Sequence, residues 1–223
     1  MGKKTIIAIL AAIIICIIAA AAVFPNQPPA KTAVAGVAVG DTFTYSIQGF
    51  ANKIDANATI PDSCSQLNMT DWYKVTITNV TDDEVYFSAI WRFINGTENV
   101  KTGKVDIETG INNSVDFWAI YASGLKAPDR ARPLGLEGVT INETKTRLYK
   151  GVERETNSIT LERVLYDYDD PTLTRTLNDY ISIHFDQQTG MLVELTNTQL
   201  YSDPAIFLML EWRIIDSSVW DVS

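Results

Sequence analysis

Histidine and cysteine, the side chains most often used to bind metals and to catalyse reactions, are nearly absent from this chain. The 223 residues contain one histidine, His184, and two cysteines. A structural zinc site needs several such ligands close together, and the G-x-S-x-G signature of serine hydrolases is missing. The acidic stretches at residues 82–84 and 167–170 lack the pattern of a calcium loop and read as turns. We therefore expect no enzyme activity, no metal site and no other cofactor.

The two cysteines also exclude an internal disulfide. Cys16 lies inside an apolar N-terminal run, whereas Cys64 lies in the polar part of the chain. A pair in the same exported domain would be needed for a stabilising cross-link. We expect Cys64 to be a buried or simply unpaired thiol.

Positive charge is scarce. The chain has 18 Lys and Arg residues against 27 Asp and Glu residues, a formal net charge of −9. An acidic balance of this size argues against nucleic acids and anionic membrane surfaces as partners. It is equally typical of an ordinary soluble exterior.

Residues 5–24 contain no charged side chain and follow Lys3 and Lys4. As a helix rising about 1.5 Å per residue, this run covers roughly 30 Å, the thickness of the hydrocarbon core of a membrane. The positive-inside rule places the N-terminus in the cytoplasm and exports everything after it. We predict a membrane anchor at residues 1–24, a Pro/Ala-rich linker at 25–38 and an extracytoplasmic domain at 39–223. A cleaved signal peptide is the alternative, and it would make the protein secreted.

Alternation of apolar and polar residues dominates residues 39–223 and predicts β-strands. The hairpin signal Asn95-Gly96 and two turns of the form D-x-x-T-G, at residues 106–110 and 186–190, separate neighbouring strands. The sequence therefore predicts a mainly β (α+β) fold, a curved antiparallel meander or half-barrel of about nine or ten strands. One segment breaks the alternation: residues 114–125 have apolar side chains at helical spacing after a capping Ser114, which predicts one helix packed on the sheet.

N-glycosylation acceptors are frequent. Six positions satisfy N-x-[ST] without proline: Asn57, Asn68, Asn79, Asn95, Asn112 and Asn142. Most fall at predicted turns or strand ends, where an oligosaccharide has room. They agree with export to a cell exterior.

Aromatic residues are also plentiful, with 5 Trp, 9 Tyr and 8 Phe. In a sheet with one covered face they are usually core residues, but in an open half-barrel some would line an apolar groove. The candidates for that groove are Trp91, Phe93, Phe117, Trp118, Ile183 and Trp212.

Several segments resemble archaeal exported proteins of unknown function. The segments are VGDTFTYSI, the WYKVTITNV and EVYFSAIWRFINGT hairpin, and FDQQTGMLVEL. Such proteins commonly have an N-terminal membrane anchor and many glycosylation acceptors. The long meander with D-x-x-T-G hairpins and one covering helix also looks like the half-barrel of lipoprotein carriers. This resemblance implies carriage of a lipid or lipoprotein if the hollow of the half-barrel is open, and it carries over no catalytic residue.

Two functions are compatible with these features. The first is a membrane-anchored extracytoplasmic protein that holds an apolar ligand, or a surface protein partner, in the groove. The second is a structural subunit of a surface layer or filament that assembles through the N-terminal helix. The oligomeric state is left open by the sequence.

Overall fold

The computed structural model describes residues 33–114, 117–135, 138–149, 151–166 and 175–220. These residues belong to one compact unit, Thr32–Ser223. The other unit, Met1–Lys31, contains the predicted anchor and lies outside the described residues. Within the described ranges, no helix is both long enough and apolar enough to cross a membrane.

The described chain forms one antiparallel sheet of nine strands, so the prediction of a mainly β meander is confirmed. The sheet order is β4-β3-β2-β1-β9-β8-β7-β6-β5, which leaves β4 and β5 as open edges. The strands are β1 (Thr42–Lys53), β2 (Thr70–Val80), β3 (Glu84–Phe93), β4 (Glu98–Asp106), β5 (Glu143–Tyr149), β6 (Val152–Tyr166), β7 (Thr176–Asp186), β8 (Leu192–Ser202) and β9 (Ala205–Ser217). A single short helix, α1 (Asp62–Leu67), interrupts the described part of the chain between β1 and β2.

Two meanders meet where the first strand pairs with the last. Strand β1 runs antiparallel to β9 from Phe43 to Lys53, so the start and the end of the domain lie at the centre of the sheet. By contrast, β1 pairs with β2 over only four residues, Thr42 to Tyr45. The sheet is therefore continuous at one end and split between β1 and β2 at the other.

Both D-x-x-T-G segments form the predicted turn. In the β7–β8 turn, the Asp186 carboxylate accepts hydrogen bonds from the Thr189 N–H (2.8 Å) and from its hydroxyl (2.9 Å). After β4, the Asp106 carboxylate accepts the N–H of Thr109 at 2.9 Å in the same way. The final glycine of each turn has a positive φ, 73° at Gly190 and 80° at Gly110.

One face of the sheet, called the core face below, carries the hydrophobic core. Alternate residues of the strands point to it, as the period of two requires. Large aromatic residues on this face touch one another: Tyr73 lies 5.0 Å from Trp212 and 5.8 Å from Trp91 between ring centroids. The described residues form one hydrophobic core within this unit. Because Thr32–Ser223 is a compact unit with a core of its own, it is expected to fold without the N-terminal segment.

The predicted helix at 114–125 is wrong in its described part. Residues 117–125, called the strap below, cross the core face in an irregular conformation. Most of their backbone hydrogen bonds go to distant segments, as from the Tyr121 N–H to Gly190 O at 2.9 Å, and the bond from Ile120 N–H to Trp118 O within the strap is not a helical one. Ser114 does accept the N–H of Phe117 (3.2 Å), as a cap would, but no helix follows in the described residues.

The physical reason is that too many neighbouring side chains of the strap are buried for it to be a surface helix. Five of its residues, Phe117, Ala119, Ile120, Tyr121 and Ala122, are almost fully buried although nearly consecutive. A surface helix would bury a single stripe at spacings of three and four. The irregular backbone lets side chains on both sides of the strap pack against the rest of the protein. Tyr121, for example, stacks on Phe185 with ring centroids 4.2 Å apart.

Residues 33–38, within the predicted linker, also pack on the domain. Ala33 and Val37 are buried in the core, and Val34 O accepts the N–H of Ser123 at 2.8 Å. A Cβ on Gly36 would lie 2.0 Å from Gln188 O, so the chain passes too close to the β7–β8 turn for any larger residue. Packing of the domain therefore starts at or before Ala33.

Candidate functional site

An apolar pocket of about 170 Å³ lies between the strap and the core face of the sheet. It is lined by Phe117, Trp118, Ala119, Ile181, Leu192, Leu195, Asn197, Leu210 and Trp212. The strap supplies the first three of these residues, and β7, β8 and β9 supply the rest. The pocket thus lies at the edge of the strap, where the core face of the sheet is no longer covered.

Strand register explains which side chains meet in the pocket. Asn197 of β8 lies opposite Ile181 of β7 on one side and opposite Leu210 of β9 on the other. Cβ atoms of directly opposed residues are about 5 Å apart, so these three side chains form one row across the sheet. The row is continued by Leu161 of β6, opposite Ile181. Leu161 and Leu210 are only half-buried, so this part of the core face is incompletely covered.

Three of the six predicted groove residues line this pocket: Phe117, Trp118 and Trp212. Ile183 is 1% exposed and belongs to the closed core, where it lies opposite Leu195. Trp91 and Phe93 are on β3 and do not line the pocket. Their rings stack on each other at 5.4 Å, and Trp91 joins the same aromatic group through Tyr73.

Sequence reasoning missed Ala119, Ile181, Leu192, Leu195, Asn197 and Leu210. The D-x-x-T-G turn does not by itself place Asn197 opposite Ile181, because the register shifts by one residue between His184 and Phe185. Leu210 had a usable signal, since the tight β8–β9 turn at residues 203–204 leads without a register shift to the pair of Asn197 with Leu210.

The size of the pocket limits what it can enclose. An apolar cavity of about 150 Å³ accommodates one benzene molecule. At about 170 Å³, the pocket holds one ring or a short aliphatic segment, but not a whole long acyl chain. A longer ligand would have to extend over the half-buried row beyond the strap.

A buried carboxylate paired with a half-exposed arginine lies one row further along the same face. Asp179 is 1% exposed and accepts the Arg163 Nε–H at 3.1 Å, and Gln199 Nε2 lies 3.4 Å from its other oxygen. Burial of a carboxylate is tolerated only when it is paired in this way. The pair adds no net charge to the surroundings of the pocket.

A second pocket, of about 440 Å³, lies in the split between β1 and β2. Its walls are mostly polar and include Ser46, Gln48, Asn68, Asp71 and Glu211. Both carboxylates already have cationic partners, Arg92 at 3.4 Å from Asp71 and Arg213 at 2.8 Å from Glu211. Each arginine is shared with a second carboxylate, Glu98 for Arg92 and Glu194 for Arg213, so the charged groups around the split pocket are engaged with one another.

Asn68 closes part of this split. Its carboxamide bonds both backbone groups of Gly49, accepting the N–H and donating to the C=O, each at 2.8 Å. Asn68 thus takes the place that a residue of β2 would have in an intact sheet. A Cβ on Gly49 would meet Cys64 O at 2.8 Å, so α1 packs directly on this residue.

All six glycosylation acceptors are exposed. At Asn142 the side-chain oxygen accepts the Thr160 N–H at 2.7 Å, and the nitrogen that would carry a sugar bonds no other described residue. Asn68 differs, because the amide hydrogen that it donates to Gly49 O lies on the same side of the carboxamide C–N bond as the side-chain oxygen. A trans glycosyl amide puts the sugar carbon on that side. A glycan at Asn68 would therefore break the pairing with Gly49.

His184 lies on the face of β7 opposite to the core face and lines neither pocket. Burial and, secondarily, the nearby Arg147 lower the pKa of its imidazole, whereas Glu194 and Glu143 act in the opposite direction. Its Nε2 is 3.4 Å from Ser182 Oγ, and its buried Nδ1 makes no hydrogen bond. In the described residues no group of three or more His, Cys, Asp or Glu side chains could hold a metal ion. The acidic stretch 167–170 lies outside them.

Comparison with known proteins adds no relative. No family model matches the chain, and no curated protein is significantly similar to it. The function must therefore be argued from the pockets themselves.

Proposed function

We propose that this protein is a membrane-anchored, extracytoplasmic binding protein that holds an apolar ligand in the pocket beside the strap. The observation that carries the proposal is the apolar pocket itself, lined by Trp118 and Trp212 and bordered by the half-buried Leu210. A concave site lined mainly by apolar and aromatic side chains is the usual form of a small-molecule binding site.

The remaining parts of the proposal come from the sequence. The uncharged run at residues 5–24 supports a membrane anchor, and six exposed N-x-[ST] sites support glycosylation outside the cell. We infer further that the open sheet is a half-barrel curved around the core face. A lipid, or the acylated end of a lipoprotein, fits a groove of this chemistry, with its apolar end in the pocket. The alternative role, a subunit of a surface layer or filament, depends on residues 5–24, which lie outside the described part of the chain.

Substitution of Leu210 by Trp tests the proposal. Leu210 lines the pocket and is only half-buried, so a larger side chain fills the space without displacing the closed core. We expect toluene to bind the purified unit Thr32–Ser223 saturably, measured by ligand-observed NMR. In Leu210→Trp its affinity falls at least about tenfold, equivalent to 1.4 kcal/mol.

The matched control is Val100→Trp, which adds the same side chain at a 61% exposed position of edge strand β4. Its affinity for toluene stays within about twofold of the wild type. Non-saturable binding in the wild type, or equal loss in both variants, would show that the pocket is not the binding site.

A further inference from the structure

One polar side chain projects into the apolar pocket. Apart from the indole N–H groups of Trp118 and Trp212, Asn197 is the only polar side chain among the residues that line it. Its neighbours across the sheet, Ile181 and Leu210, are both apolar. The Asn197 carboxamide makes no hydrogen bond within the described part of the chain.

An unpaired carboxamide between apolar neighbours is an unfavourable choice for packing alone. Leucine would fit the same row and contribute hydrophobic burial, whereas a half-buried amide without a partner loses part of its hydration. Gln199, two residues along the same face, does have a partner in Asp179. On this face the Gln199 amide has a hydrogen-bond partner, whereas the Asn197 amide has none among the described residues and is available to bond a ligand.

We propose that the pocket is built for a neutral amphiphile, whose apolar part fills the space beneath the strap while its hydroxyl, carbonyl or amide group bonds Asn197. This inference rests on the function proposed above. Both an oxygen acceptor and an N–H donor are available on Asn197, so either kind of head group is recognised. A pure hydrocarbon leaves the Asn197 amide without a hydrogen bond, so its affinity is lower than that of an amphiphile of similar size.

Charge selects for a neutral head group. No ionisable side chain lines the pocket. The Arg132 guanidinium reaches the strap but is bonded to the backbone carbonyls of Ile120 and Trp118, and on the sheet Arg163 and Asp179 are paired with each other. The chain as a whole carries a net charge of −9, which disfavours anions. A charged head group placed beside Asn197 would lose its hydration without gaining a counter-charge.

Three ring compounds that match the pocket in size test this selectivity: toluene, benzyl alcohol and benzoate. Binding to the unit Thr32–Ser223 and to Asn197→Leu is measured by ligand-observed NMR. We expect Asn197→Leu to weaken benzyl alcohol about fivefold to tenfold, as loss of one hydrogen bond predicts, while toluene binds as well or more tightly. Thr198→Val, on the other face of the same strand, leaves both affinities unchanged.

The outcomes separate this inference from the proposed function. If toluene and benzyl alcohol both bind but Asn197→Leu changes them equally or not at all, or if benzoate binds best, the neutral amphiphile is excluded and the apolar pocket stands. If no compound binds the wild type, the proposed function fails with it. A crystal structure with benzyl alcohol gives a test without mutation. Its oxygen must lie within about 3.2 Å of the Asn197 carboxamide, and an oxygen turned to solvent overturns the inference.

Discussion

Replacement of Gly190 by Ala is expected to destabilise the domain by more than about 4 kcal/mol, an exceptional value for one methyl group. A Cβ at this position would lie 1.9 Å from Tyr121 O and 2.8 Å from its carbonyl carbon. The φ of 73° is itself unfavourable for alanine. The clash is with the backbone of the strap, which cannot rotate away as a side chain could. Relief would require separating the strap from the β7–β8 turn and losing the Tyr121 N–H to Gly190 O bond.

Gly110→Ala is the matched control, because it changes the same position of the other D-x-x-T-G turn. Its φ is 80°, but the nearest atom to a new Cβ is Arg132 Nε at 3.1 Å, in a side chain that must shift by only a few tenths of an ångström while it keeps its bonds to the strap. We expect a loss close to the backbone cost of about 1–2 kcal/mol, well below that of Gly190→Ala. Urea unfolding of the unit Thr32–Ser223 measures both. Equal losses in the two variants would mean that the strap does not sit against the β7–β8 turn.

Replacement of Arg154 by Ala is expected to cost about 3 kcal/mol or more, because it leaves a buried carboxylate without its counter-charge. Arg154 holds Asp186 by two parallel bonds, Nε to Oδ1 at 2.8 Å and Nη2 to Oδ2 at 2.9 Å. The Asp186 side chain is 1% exposed. The guanidinium also lies 4.6 Å from the Trp220 ring centroid, so its loss removes packing at the end of the chain.

Arg213→Ala provides the comparison for this second prediction. Arg213 also contacts carboxylates, those of Glu194 and Glu211, but its side chain is 57% exposed. Exposed pairs contribute about 0–1 kcal/mol because water and salt screen them. Thermal unfolding followed by circular dichroism should show a much lower Tm for Arg154→Ala than for Arg213→Ala. A similar Tm for the two variants would contradict the buried role of Asp186.

These two sites show which parts of the fold are readable from sequence. The D-x-x-T-G turns were predictable because all their interactions lie within five residues: the Asp186 carboxylate accepts the Thr189 N–H, and Gly190 adopts the positive φ. The strap was not predictable, because its backbone partners Gly190, Gln187 and Val34 are far away in the chain. The helical spacing of apolar residues at 114–125 correctly indicated that side chains of the strap are buried, but it predicted the wrong backbone conformation.

The candidate site divides in the same way. Phe117, Trp118 and Trp212 were among the predicted groove residues because large aromatic side chains commonly line apolar grooves. Leu210 was missed although the tight β8–β9 turn sets it opposite Asn197, because nothing singles out one leucine in the apolar start of β9. Asn197 was missed because nothing local distinguishes it from the other polar residues of β8. Its role depends on what lies opposite it.

The central claim, that the pocket beside the strap holds an apolar ligand, is tested most directly by mass spectrometry of the natural cargo. The full chain and its Leu210→Trp variant, both produced in the native cells, are purified identically and extracted with organic solvent. Loosely adsorbed membrane lipids appear equally in both extracts. The account predicts one additional neutral amphiphile in the wild-type extract, at close to one molecule per chain, that is strongly reduced in the variant. Identical extracts from the two proteins would contradict it.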